Sequence, residues 1–168
     1  MRAPVLFLLT TAAMLSTAGC QRTADAATEA ALERASGHEV AIDRDGKRAR
    51  ILTPDGEINL ATGGGMPLPD DFPADLFLPP TYAVNSVMEV GDARLVNMES
   101  EGTVAAMFDA ARSAMQRRGW SQTLAMQQAD SGMLGFSRDG REATYTFTGH
   151  GEGQLAIGIQ LRAPSGRH

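Results

Sequence analysis

The chain has 168 residues, with 20 acidic against 15 basic side chains and a formal charge of −5. No dense basic run is present, so nucleic acid and anionic lipid headgroups are poor candidate partners. A hydrophobic content of 43% suits one or two small globular domains, and the 18 glycines and 8 prolines gather in mid-chain and in turns, which points to short strands rather than a helical bundle.

Residues 1–19, MRAPVLFLLTTAAMLSTAG, carry one positive charge at Arg2, an apolar run from Val5 to Leu15 and then small residues. That is the three-part plan of a signal peptide. The apolar run of about 10 to 14 residues falls short of the roughly 18 to 20 needed to span a bilayer, so removal is expected. Thr17-Ala18-Gly19-Cys20 resembles the lipobox of bacterial lipoproteins, with Thr17 where that motif usually has Leu. The resemblance implies cleavage between Gly19 and Cys20, and a diacylglycerol thioether and an acylated amino group on Cys20. Two or more acyl chains, at about 0.8 kcal/mol per buried methylene, hold a protein stably at a membrane. Gln21 in place of Asp implies the outer membrane, facing the periplasm, rather than the inner membrane. The competing reading is a soluble periplasmic or secreted protein cleaved after Ala24-Asp25-Ala26. Either way the folded domain contains no thiol, because Cys20 is the sole cysteine.

Residues 20–36 are Ala-rich and polar and read as a lipidated flexible tether, with Gly37 as a helix stop. Over 37–62, Val40 and Ile42, Ile51, and Ile58 and Leu60 alternate around Asp45-Gly46 and Pro54-Asp55-Gly56, the pattern of a short β-meander. Asp43-Arg44-Asp45-Gly46 is no calcium loop, because aligning Gly46 with that loop's glycine puts Ala41 and Leu52 at ligand positions. Residues 63–80, GGGMPLPDDFPADLFLPP, are expected to form a glycine hinge and a proline-rich strap whose Phe72, Leu76, Phe77 and Leu78 dock on a sheet.

Over 81–162 the pattern is clearer. Two alternating stretches flank Gly91-Asp92, and a helix follows from about Thr103 to Arg118, with Val104, Met107, Phe108, Ala111 and Met115 on one face. Ser100 is the expected N-cap and Gly119 the stop. Strands around Leu124, Phe136, Tyr145 and Ile157 then alternate with turns at Asp130-Ser131-Gly132, Asp139-Gly140 and the Gly149–Gly153 run. The expectation is an α+β fold: an antiparallel sheet of ββαββββ order with one amphipathic helix on one face, preceded by the meander. Residues 163–168 are an expected disordered tail. The lipobox, the Asp-Gly hairpins, the DFPADLFLPP strap, the helix ending in Gly-Trp and the terminal meander together resemble a broad group of small bacterial lipoproteins, which brings no assigned chemistry.

Candidate chemistries fail on their residues. His150-x-Glu152 lacks the thiols of a zinc deaminase, and His38 and His168 share no register with it. Gly149-x-Gly151-x-Gly153 leads into a strand rather than a helix that would receive a pyrophosphate, and the glycines before Pro67 lack the helix and Lys-Ser or Lys-Thr pair of a phosphate loop. Gly135-Phe136-Ser137-Arg138-Asp139 is not a nucleophile elbow. The methionines beyond the leader lie on apolar faces, where gap-filling outweighs copper ligation. No catalytic residue, metal or cofactor is assigned.

What remains is a lipid-anchored cell-envelope protein of non-enzymatic binding or accessory type, whose partner is an envelope protein or a small ligand. The candidate binding surface is the threonine face opposite the helix (Thr144, Thr146, Thr148) together with Trp120, which either plugs the helix-to-sheet corner or anchors a partner. Two alternatives stand beside it. One is an assembly protein pairing through an edge strand. The other is an enzyme using the strap carboxylates Asp70, Asp71 and Asp75.

Overall fold

The computed structural model describes residues 28, 30–31, 33–34, 37–43, 45–54 and 56–163. The expected leader with Gly19 and Cys20, most of the tether and residues 164–168 lie outside the described residues. The strands are β1 (Glu39–Ile42), β2 (Arg48–Thr53), β3 (Gly56–Met66), β4 (Ala83–Val90), β5 (Ala93–Glu101), β6 (Ser121–Gln127), β7 (Ser131–Arg138), β8 (Arg141–Gly151) and β9 (Gln154–Arg162). A helix, α1 (Val104–Arg117), interrupts them after β5.

The fold is α+β, with all nine strands in one antiparallel sheet of spatial order β1-β2-β3-β4-β5-β9-β8-β7-β6. This corrects the expected ββαββββ unit with a separate meander, because β3 pairs with β4 from Ile58↔Val90 to Met66↔Val84 and joins the two. The glycines at 63–65 are likewise no hinge. They lie inside β3, where the register jumps between Thr62 and Met66. Gly63 and Gly65 take φ values of 153° and 72°, so a bulge absorbs extra residues without breaking the strand.

α1 forms where the apolar spacing places it, and Val104, Met107, Phe108, Ala111, Ala114 and Met115 are buried. Its N-cap is Thr103, whose hydroxyl accepts from Ala106 N–H at 3.2 Å, and not the expected Ser100. β5 runs on to Glu101, so Ser100 is a buried strand residue whose hydroxyl donates to Thr81 O at 2.8 Å. Gly119, at φ 82°, ends the helix as read.

α1 packs on β6, β7 and β8. The core beneath it includes Phe108, Met115, Leu134, Phe136, Tyr145, Phe147, Ile157 and Ile159. The strap enters this core with Leu76 and Phe77, and Phe72 and Leu78 pack against it. One row of cross-strand partners shows where the core stops: Arg48, Ala61, Val87, Val96, Ile159, Tyr145, Leu134, Ala125. From Val87 to Leu134 the row is buried, whereas Arg48 on β2 is exposed.

Candidate functional site

Beyond the buried row the sheet continues without a helix above it, and a groove of about 790 Å³ opens there. Its floor includes Arg48, Arg50, Asn59, Ala61, Val87 and Glu89. Cross-strand register puts all six on the face that carries the core. One wall is Met66-Pro67-Leu68-Pro69-Asp70, the start of the strap, and Asp43 and Lys47 close one end from the β1–β2 turn. A Cβ on Gly63 would lie 3.5 Å from Met66 Cγ and 4.0 Å from Lys47 Cδ, so both side chains lie close above the bare backbone of that glycine.

Most charges around the groove are committed. Arg50 pairs with Glu57 at 3.0 Å, and Glu89 with Arg94 at 2.6 Å. Asp43 accepts from the Lys47 and Arg48 N–H groups at 2.8 and 3.1 Å, and these turn bonds, Arg48's first, hold its carboxyl below the usual range. Among the described residues, Lys47 and Arg48 make no ion pair. Two exposed cations therefore stand at one end of a trough whose other wall is largely apolar.

The strap is pinned in place. Arg141 grips Asp75 through both carboxylate oxygens at 2.6 and 3.1 Å, Arg138 adds a contact at 3.4 Å, and the pairing with Arg141 lowers the Asp75 pKa. Phe77 N–H donates to the Tyr145 hydroxyl at 2.9 Å and Phe77 O accepts from it at 3.1 Å, while Arg118 donates to Leu76 O. Burial pushes the Tyr145 pKa up. Asp71 bonds Arg94 at 2.8 Å, which lowers its pKa. Asp70 lines the groove. Asp71 and Asp75 thus pair with different arginines, and both carboxyl pKa values go down, the reverse of what a general acid requires.

Trp120 is 3% exposed. Its ring lies under the Arg141 guanidinium, 4.9 Å from the centroid, and its Nε1–H donates to Asp75 O at 3.1 Å. That removes it from the candidate binding surface and makes it part of the corner beneath the strap. Thr144, Thr146 and Thr148 alternate with buried Ala143, Tyr145 and Phe147 and so lie on the face opposite α1, away from the groove. Lys47, Arg48 and Arg50 fall within the expected 37–62 meander, where sequence reasoning assigned them no role. A usable signal was present in RARILT, where charged and apolar residues alternate and set the arginines on one face.

Among the described residues no group of three or more His, Cys, Asp or Glu side chains is placed to hold a metal, and no helix is long and apolar enough to cross a membrane. No family model, curated protein or solved structure matches the chain.

Proposed function

We propose that this chain is a lipid-anchored cell-envelope protein, held by Cys20 at the periplasmic face of the outer membrane, that acts by binding rather than catalysis. Its ligand class is an elongated amphipathic anion, with an acidic head at Lys47 and Arg48 and an apolar body along Met66, Leu68 and Val87. The observation that carries this reading is the groove itself: about 790 Å³, within the range of small-molecule sites, with two exposed cations that make no ion pair among the described residues facing an apolar wall. The separate ion pairs of Asp71 and Asp75 support binding over acid–base chemistry.

A fluorescent long-chain fatty acid is the probe, titrated into the otherwise intact chain bearing Cys20→Ser so that no attached lipid competes. Saturable binding is expected, weakened at least about tenfold (~1.4 kcal/mol) when Lys47→Glu and Arg48→Glu are combined. Absent binding, or equal binding by the double variant, rejects the ligand class. The anchor has its own test: cells fed radioactive palmitate should label the wild type and leave Cys20→Ser unlabelled, and equal labelling refutes lipidation at Cys20.

A further inference from the structure

The two edges of the sheet are built differently. β1 is four residues long, and its Val40 N–H is taken by Glu33 Oε1 at 3.3 Å. β6 is seven residues, SQTLAMQ, exposed at every position and free of charge and proline. Among the described residues no strand lies outside it. Edge strands of this kind are open to pairing, because natural sheets guard their edges with charge, proline or short length.

The surface beside this edge is apolar. Leu124 is 38% exposed, Met126 57% and Met133 36%, and Met126 and Met133 are direct cross-strand partners. These three make up half of the large hydrophobic side chains exposed in the described residues, the others being Leu52, Tyr82 and Val90. Gln128 N–H bonds inward to Ser131 O at 2.8 Å, so by the alternation of an antiparallel ladder the backbone groups of Ala125 and Gln127 face outward.

The geometry points to a homodimer in which two copies of this chain pair antiparallel through β6, about a two-fold axis at Met126. Ala125 of each copy then exchanges both backbone bonds with Gln127 of the other, and Leu124 faces Gln128. Met126 meets its own copy at the axis, with Met133 beside it. The register uses only the straight part of the strand, because the β6 bulge lies between Gln122 and Leu124. A second copy suits this edge better than a charged partner would. Residues Ser121 to Gln128 carry no charge, so two acidic chains (formal charge −5) meet without opposing like charges across the seam. The contact is isologous, and because β1 is closed by Glu33 the sheet stops at two copies rather than growing into a filament.

The test uses the otherwise intact chain with Cys20→Ser. Sedimentation should give the mass of two chains, and Met126→Lys, which sets two lysines face to face at the axis, should lower the dimer fraction roughly tenfold or more. Circular dichroism should be unchanged, since this side chain is exposed. Met126→Cys should give an inter-chain disulfide on mild oxidation, because non-hydrogen-bonded partners in an antiparallel ladder stand about 4.5 Å apart at Cα. Ser113→Cys on the exposed side of α1 should not. A monomer at every concentration, a dimer indifferent to Met126→Lys, or equal cross-linking at 113 and 126 overturns the proposal. It does so without touching the groove, which lies at the other end of the sheet.

Discussion

β4–β9 and β1–β3 belong to one sheet but gather their large aliphatic side chains on opposite faces. In β4–β9 the side under α1 and the strap is apolar, with Val87, Val96, Ile159, Tyr145 and Leu134 in line, and the far side is mixed, with Gln160 and Thr144 as partners mid-sheet and Leu124, Met126 and Met133 exposed toward the β6 edge. In β1–β3 the same side as the core carries Arg48, Arg50, Glu57 and Asn59, and the far side carries Val40, Ile42, Ile51, Ile58 and Leu60. A continuous hydrogen-bonded ladder does not require a continuous hydrophobic face. The helix-covered half supplies the burial that holds the fold, and the other half places charge beside an apolar wall, which is what a groove needs.

That contrast is broken or sharpened first by truncating one side chain in each half. Phe147 is 1% exposed, and its ring packs edge-on to Phe108 with centroids 6.1 Å apart. Phe147→Ala should cost about 3–5 kcal/mol through lost transfer energy and a cavity. Ile58 on β3 is only half-buried on the far face, and Ile58→Ala should cost about 1 kcal/mol. Urea unfolding of both variants checks this. Equal losses would mean that β1–β3 is packed as tightly as the helix-covered half, and the division above would be wrong.

How much of this was legible follows from how local each signal is. The turn at Asp139-Gly140 was readable because two adjacent residues set it, at φ 51° and 76°. α1 was readable because its apolar positions recur within one short segment. The joining of β3 to β4 was not, since the glycine run and prolines between them look like a hinge and only the partner strand reveals a bulge. The β5–β9 pairing spans the helix and three strands, and no dipeptide announces it. The Asp75 clamp was hidden for the same reason: its arginines lie 63 and 66 residues away, and a lone Asp among prolines looks solvated. The groove fell on the core side rather than the threonine side because alternation assigns residues to faces without saying where a helix ends and leaves a face open.

The Asp75 clamp gives a smaller and more specific prediction. It ties the strap, one end of which walls the groove, to the helix-covered half, so it is where the two regions are mechanically joined. Asp75→Asn keeps the shape and leaves the backbone carbonyl that Trp120 uses, but removes the charge that Arg141 and Arg138 share. A charge-assisted pair whose side chains are about a quarter to a third exposed should make the variant roughly 1–3 kcal/mol less stable at neutral pH. The sign with acid is fixed. Arg141 lowers the folded-state pKa of Asp75 below its ordinary 3.8, so its contribution is complete above that value and fades as pH falls through the lowered one. Urea unfolding of wild type and variant across the acid range should show the gap closing below about pH 3.8 while both proteins weaken, because Asp71 and Asp43, also lowered, titrate in each. A gap that persists undiminished in strong acid would assign the Asp75 effect to packing rather than charge, and the strap would then be held chiefly by Leu76, Phe77 and the Tyr145 hydroxyl.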